Sequence, residues 1–251
     1  MQKLMAANWK MYKTAAEAAA TLMEFQRYVP GLPEDREVVF FAPFTALATS
    51  AEILAKMKAR VYLGAQDVYP AAEGAFTGEI SPNMLKESAC RFVLTGHSER
   101  RQVLGENDVL VGRKTCFVLE SGLDALLCIG ETLEEREKGA LEQVLRRQLE
   151  AGLRDVPSGV EPQRLVVAYE PVWAIGTGKV AGPSEILEAH ALIREILRAV
   201  RGAQASDMRI LYGGSVKAEN AGEIIALDNV DGVLVGGASL QAETFSRIVL
   251  A

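Results

Sequence analysis

The chain has 251 residues, 49% of them hydrophobic and 24% charged, with a formal net charge of −6 at pH 7. These proportions are ordinary for a globular protein and exclude a disordered chain, a collagen-like repeat and a disulfide-stapled miniprotein. Nucleic-acid binding depends on neutralising many phosphates, so 33 acidic against 27 basic residues argue against a general polyanion-binding surface. A local site for a small anion is still compatible with this charge.

The cellular setting is predicted from the cysteines and from the absence of targeting patterns. Cys90, Cys116 and Cys128 are odd in number and lack CxxC spacing, so we expect reduced core residues. No apolar run approaches about 18 residues, and the polar-flanked N-terminus is too short for a signal peptide. We therefore expect a cytoplasmic protein without a membrane or nucleic-acid partner.

Short apolar runs recur from one end of the chain to the other and show little alternation. Such runs are typical of strands buried on both faces of a parallel sheet. They lie at residues 4–7, 38–42, 61–65, 92–95, 125–129, 165–168, 210–212 and 233–235. The spacing is about one run per 31 residues, which suits a strand followed by a crossover helix.

Helix signals fill the stretches between these runs. Thr14 and Thr132 each precede a glutamate by three residues, as in a capping box. Pro82 and Pro183 stand where helices are expected to begin. Two later stretches carry apolar stripes at helical spacing: Leu141, Val144, Leu145 and Leu149, then Ile186, Leu187, Ile193 and Leu197. Residues 66–78 lack a clear period and are predicted to form an ordered loop.

Eight uninterrupted strand and helix units predict an α/β fold, a single (β/α)8 barrel with a parallel eight-stranded core over residues 1–251. An open doubly wound sheet is the alternative, but it usually has five or six such units. A barrel places its functional groups at the carboxyl ends of its strands. These are the positions at which a site is expected.

Polar side chains follow several of the predicted strands. The first run ends in Asn8-Trp9-Lys10, the fourth leads into His97, Ser98 and Glu99, and the sixth ends before Glu170. Asn8 and Lys10 are two residues apart, so on a strand they would project together. Taken singly, Lys10 could be a solvated lysine, His97 a structural histidine and Glu170 a surface glutamate. The other histidine, His190, is predicted to have a structural role, because it lies among alanines in the middle of a predicted helix. The convergence of Lys10, His97 and Glu170 on one rim favours a common function.

Glycine pairs follow the last two runs, at Gly213-Gly214 and Gly236-Gly237. Backbone amides in these two loops form a frequent phosphate site in barrels, and glycine lets the backbone approach the phosphate oxygens. Ser215 would add a hydroxyl donor. The pairs could also be simple turns.

Residues 171–179 form a loop with apolar tip residues, a tryptophan and two glycines. Such a loop would expose apolar surface unless it folded over a ligand, so we expect a lid that excludes water. Residues 176–181 formally match GxGxxG/A. A loop rather than a tight strand-to-helix turn surrounds them, which argues against a dinucleotide site. Metal-binding and nucleophile-elbow motifs are absent from the sequence.

The blocks at 8–10, 95–101, 168–179, 212–216 and 236–240 together resemble the triosephosphate isomerase family, in order and spacing, over essentially the whole chain. The resemblance implies interconversion of dihydroxyacetone phosphate and glyceraldehyde 3-phosphate without a cofactor or metal. It implies that Glu170 is the general base, His97 the electrophile and Lys10 a positive charge on the substrate. The start of a helix at His97 would favour a neutral imidazole donor.

The resemblance also assigns supporting roles. Glu99 would position Lys10, and Asn8 would supply a nearby amide. The phosphate would be held by Gly176, Ser215, Gly236 and Gly237. The lid and its latch would comprise Pro171, Trp173, Ile175, Thr177, Gly178, Lys179 and Tyr212. Residues 74–79 resemble the family's dimer loop, with Thr77 reaching the neighbouring subunit of a homodimer.

Other readings are a phosphate-binding barrel aldolase, a phosphoribosyl-substrate isomerase and a non-catalytic barrel that only binds a ligand or a protein. A Schiff-base aldolase needs a lysine within reach of a barrel strand. The joint presence of Lys10, His97 and Glu170 argues against a barrel without catalytic activity.

Overall fold

A closed barrel of parallel strands is the central feature of the computed structural model, which describes residues 1–57, 60–175 and 180–251. The strands are adjacent in chain order, and β1 also pairs with β8. They are β1 Lys3–Asn8, β2 Arg36–Ala42, β3 Val61–Ala65, β4 Cys90–Thr95, β5 Asp124–Ile129, β6 Leu165–Tyr169, β7 Ile210–Tyr212 and β8 Gly232–Val235. The predicted (β/α)8 barrel is confirmed, and every predicted apolar run lies within a strand.

Helices follow the strands and form the outer layer. They are α1 Ala15–Tyr28, α2 Leu47–Leu54, α3 Pro82–Glu87, α4 Ser98–Gln102, α5 Asp108–Glu120, α6 Leu133–Glu137, α7 Leu141–Leu153, α8 Pro183–Arg201, α9 Ala221–Ile225 and α10 Ala242–Val249. Short 3₁₀ helices lie at Phe44–Ala46, Pro162–Arg164, Val172–Ala174, Gly202–Asp207 and Gly237–Leu240.

The strands read as continuous apolar runs because both of their faces are buried. One set of side chains fills the barrel interior, and the alternate set packs under the helices. The interior set includes Leu4, Ala6, Val39, Phe41, Phe92, Leu94, Leu126, Cys128, Val166, Ala168, Leu211 and Leu234. The barrel is therefore a filled core that leaves room for a ligand only at its ends.

The predicted helix starts are confirmed. Thr14 and Thr132 each accept a hydrogen bond from the backbone of a glutamate three residues on, and that glutamate's side chain accepts one in return. Pro82 and Pro183 occupy the first positions of α3 and α8. These devices satisfy backbone donors that the helix itself leaves unpaired.

Two expectations about burial are wrong in detail. Leu187 is 38% exposed, because residues adjacent in a helix lie about 100° apart and Ile186 already faces the core. The buried face of α8 instead consists of Ile186, Ala189, His190, Ile193, Arg194, Ile196 and Leu197. Cys90 and Cys128 are buried free thiols, whereas Cys116 is only partly buried.

Among the described residues, no helix has both the length and the apolar character needed to cross a membrane.

Candidate active site

A cavity of about 470 Å³ opens at the carboxyl ends of the strands. It brings together predicted residues from five separate parts of the chain. Its lining includes Asn8, Lys10, His97, Glu170, Ile175, Ser215, Gly236 and Gly237, and also Lys217, whose role the sequence did not indicate. The convergence predicted from the strand ends is therefore present in the structure.

Glu170 directly follows β6 and is only 2% exposed. Its backbone N–H donates to the Ile129 carbonyl (2.7 Å), which continues the sheet one residue beyond the strand. Its carboxylate accepts hydrogen bonds from the Ser98 backbone N–H (2.9 Å) and from the Ser98 hydroxyl (3.0 Å). Sequence reasoning missed Ser98 as a partner of Glu170, and its position beside His97 was the only available signal.

The tautomer of His97 is fixed by the backbone. His97 is the N-cap of α4, and its Nδ1 accepts a hydrogen bond from the Glu99 backbone N–H at 3.3 Å. With Nδ1 as an acceptor, Nε2 is the ring nitrogen that carries the donor proton. That Nε2 lies 3.1 Å from Glu170 Oε1. The imidazole is thus a donor through Nε2, oriented by the Glu99 backbone N–H.

Lys10 lies beyond the end of β1, so strand alternation does not explain its position. Its backbone has a φ of +52°, an unfavourable conformation for a side chain with a Cβ. Its N–H donates to Asn8 Oδ1 (2.9 Å), and its carbonyl accepts from Gln66 Nε2 (2.8 Å). Its Nζ lies 2.7 Å from Glu99 Oε1. Glu99 therefore contacts Lys10 as expected, whereas Gln66 was missed.

The two glycine-rich loops also line the cavity. Gly213, Gly214 and Ser215 follow β7, and Gly236 and Gly237 follow β8. A Cβ at Gly236 would lie 3.3 Å from Lys10 Cε, so this backbone approaches the lysine side chain closely. The loops can therefore present backbone N–H groups beside the ammonium, as a phosphate requires.

The base of the predicted lid rests on a buried glutamate, Glu131. Its Oε1 accepts hydrogen bonds from Trp173 Nε1 (2.7 Å) and the Tyr169 hydroxyl (3.0 Å), and burial raises its pKa. Pro171 is buried, and Ile175 lines the cavity. Gly176, Thr177, Gly178 and Lys179 lie outside the described residues. Sequence reasoning missed Glu131.

Tyr212, predicted to latch the lid, and Thr77, predicted to reach a neighbouring subunit, do not line the cavity. Tyr212 ends β7 fully buried, and burial raises its pKa to about 12. Its hydroxyl lies beside the backbone of Ser215 and makes no well-aligned hydrogen bond to the described residues. Thr77 is exposed on the loop between β3 and α3.

A buried carboxylate, an imidazole donor and an ammonium face backbone amides at the mouth of a (β/α)8 barrel. This combination defines an enzyme class that can move a carbon-bound proton next to a carbonyl in a small phosphorylated substrate. The comparisons with known proteins narrow the class further. A profile of the triosephosphate isomerase family matches residues 3–251, and the chain belongs to that family.

Individual members of the family match this chain over essentially its full length. The chain is 63% identical over 251 residues to the triosephosphate isomerase of Oleidesulfovibrio alaskensis and 64% identical over 252 residues to that of Nitratidesulfovibrio vulgaris strain Miyazaki F. Each alignment covers all of both chains. The crystal structure of triosephosphate isomerase from Bartonella henselae superposes with a TM-score of 0.88 at 37% identity, covering 99% of this chain and 98% of that one.

Proposed function

We propose that Glu170, His97 and Lys10 carry out the family's reaction in this chain. That reaction interconverts dihydroxyacetone phosphate and D-glyceraldehyde 3-phosphate through an enediolate, a step of glycolysis. The observation that carries the proposal is the 3.1 Å separation of His97 Nε2 and Glu170 Oε1 inside a cavity that Lys10 also lines. A base and a hydrogen-bond donor must both be within reach of one small molecule for this chemistry.

In the proposed reaction, Glu170 removes a proton from the carbon next to the carbonyl. The electron pair of the broken C–H bond forms the C=C bond of the enediolate, and negative charge develops on the carbonyl oxygen. Glu170 then returns the proton to the former carbonyl carbon. The hydroxyl proton passes from the neighbouring oxygen to the former carbonyl oxygen, so that the neighbouring carbon becomes the new carbonyl and the isomerisation is complete. A positioned base contributes about 10²–10⁴-fold to such a rate.

His97 and Lys10 are proposed to stabilise the charge that develops on oxygen. The Nε2–H of His97 would donate to the substrate oxygens, while its Nδ1 stays occupied by the Glu99 N–H. The Lys10 ammonium and the Asn8 amide would lie beside the same molecule. A donor aligned before the reaction is worth about 3–4 kcal/mol of barrier, because it needs no reorganisation.

Ser98 holds Glu170 in this structure. Both carboxylate oxygens accept a hydrogen bond from Ser98, and we propose release of at least one of these bonds when the carboxylate takes up a proton. We propose that lid closure over the substrate accompanies this release. The proposed lid comprises Pro171, Trp173 and Ile175 together with Thr177, Gly178 and Lys179, latched by Tyr212. Water exclusion would strengthen the electrostatic interactions and protect the enediolate phosphate.

Gly236, Gly237, Ser215 and Gly176 are proposed to hold the phosphate. The first three line the cavity beside Lys10, and Gly176 is assigned by likeness to the family alone. We expect no cofactor and one catalytic domain spanning residues 1–251. The free cysteines are compatible with a cytoplasmic location.

A homodimer is proposed from the apolar side chains exposed around the mouth. They lie on the consecutive connections after β1 to β4: Met11, Phe44, Phe76, Met84, Val103 and Leu104. Exposed apolar residues on neighbouring connections are typical of a protein interface, and Thr77 is adjacent to Phe76. A mass in solution of twice 27.1 kDa would support the dimer, and a Thr77→Asp variant should shift it to one chain.

A coupled assay of triose phosphate isomerisation tests the proposed function. Wild-type protein should turn over dihydroxyacetone phosphate, and Glu170→Gln, which keeps the shape but not the base, should lose about 10²–10⁴-fold in kcat. Glu142→Gln is the matched control, because Glu142 pairs with Arg146 on the exposed face of α7. Absence of wild-type activity, or equal activity of Glu170→Gln and wild type, would contradict the proposal.

A further inference from the structure

The short 3₁₀ helix Gly237–Leu240 carries the proposed phosphate-binding backbone at its start, and its other end is anchored by donors from distant residues. Trp9 Nε1 donates to the Ser239 carbonyl at 3.2 Å, and Lys13 Nζ donates to the Leu240 carbonyl at 2.8 Å. Carbonyl groups at the end of a short helix have no partner within the helix. Both anchoring residues come from the loop that follows β1.

Lys13 is held in a defined position by three features. Its φ of +76° is in the left-handed region, which is unfavourable for any residue with a Cβ. Its Nζ also donates to Thr21 Oγ1 at 2.9 Å, and the Thr21 hydroxyl donates in turn to the Glu17 carbonyl at 2.8 Å. The ammonium thus ties α1 to the end of the short helix.

An ammonium at the carbonyl end of a helix also has a favourable electrostatic interaction with the backbone dipoles. The opposite end of this helix, Gly237, is only three residues from Leu240, and hydrogen bonds within the turn couple its two ends. Within it, the Ser239 N–H and hydroxyl both donate to the Gly236 carbonyl, at 2.8 and 2.7 Å. Displacement of Leu240 would therefore be transmitted to the backbone of Gly236 and Gly237.

We propose that Lys13 is a positioning residue for the phosphate subsite, acting through the short helix. This inference rests on the proposed function, in which Gly236 and Gly237 bind the substrate phosphate. Lys13 does not line the cavity, so it would act on binding rather than on the proton transfer itself. It should therefore change KM and leave kcat nearly unchanged.

Lys13→Met removes the ammonium but keeps most of the side-chain volume. We expect KM for dihydroxyacetone phosphate and the inhibition constant of inorganic phosphate to rise together, by about fivefold, because a displacement well below 1 Å should cost much less than the ~10²-fold of a 1 Å misplacement. The value of kcat should stay within about twofold of wild type. A role in stability alone would lower the melting temperature without moving either constant.

Lys3→Met is the matched control. Lys3 Nζ also donates to two backbone carbonyls, those of Ile225 and Val230, each at 2.8 Å, but at the opposite end of β1. The control loses a comparable set of hydrogen bonds away from the cavity. It should lower the melting temperature and leave KM and the phosphate inhibition constant at their wild-type values.

Lys13→Gly separates binding from folding. Glycine adopts a φ of +76° without strain, so this variant relieves the backbone while it removes the anchor. A raised KM in both Lys13 variants, with wild-type constants in Lys3→Met, would support the inference. Unchanged KM and phosphate inhibition in both Lys13 variants would overturn it, provided that the wild-type protein isomerises triose phosphate. Failure of wild-type activity would contradict the proposed function instead.

Discussion

The second histidine of the chain makes stability depend on pH in a predictable direction. His190 is fully buried in α8, and burial lowers its pKa from 6.5 to about 4. Its Nδ1–H faces the Asn229 carbonyl at 2.8 Å, a contact that suits the neutral ring. The unfolded chain binds a proton at this residue below pH 6.5, whereas the folded chain binds it only below about pH 4. Stability is therefore lost as the pH falls through this window.

The magnitude follows from the two pKa values. Between pH 7 and pH 4.5, preferential protonation of the unfolded state at this one residue should lower the free energy of unfolding by about 2 kcal/mol. Urea unfolding of wild type and His190→Gln at both pH values measures it, since glutamine keeps a side-chain N–H donor. The variant should lose about 2 kcal/mol less than wild type over this range. Equal losses in the two proteins would refute the assignment, whatever their absolute stabilities.

Other variants test the site directly. Glu170→Asp retracts the carboxylate by about 1 Å and should reduce kcat on the order of 10²-fold in the coupled assay, so near wild-type turnover would remove Glu170 from the mechanism. Lys10→Ala should weaken substrate binding and turnover together. A change in melting temperature alone would make Lys10 a structural residue. Gly130→Ala would place a Cβ 1.7 Å from the Glu170 carbonyl oxygen, so it should cost about 1–3 kcal/mol of stability and lower kcat. A Gly130→Ala variant with wild-type kcat and melting temperature would contradict the close approach of Gly130 to the Glu170 carbonyl.

Much of the fold was predictable because barrel strands are buried on both faces. Their sequences are therefore uninterrupted apolar runs, which differ clearly from the charged helical stretches between them. The ends of the strands were predictable for the same reason, and they located Asn8, His97 and Glu170. The exposure of Leu187 was not predicted, because a run of apolar residues in a helix does not by itself indicate which of them faces the core.

The partners of the predicted site residues could not be read from the sequence. Ser98 contacts Glu170 across 72 residues, and Gln66 contacts the Lys10 carbonyl across 56. Such pairs depend on how separate loops pack, and neither serine nor glutamine is diagnostic by type. The left-handed backbone of Lys10 is a further example, because such a conformation is usual only for glycine and asparagine. The proposed roles of the site residues come from the family resemblance, whereas the contacts that hold these residues are seen only in the structure.

In the proposed mechanism, Glu170 moves a proton between two carbon atoms of the substrate. Incorporation of solvent deuterium at those carbons, followed by NMR in D₂O, measures this step more directly than net turnover. We expect rapid incorporation with wild-type protein and a rate about 10²–10⁴-fold lower with Glu170→Gln. Deuterium incorporation by Glu170→Gln at the wild-type rate would contradict this mechanism.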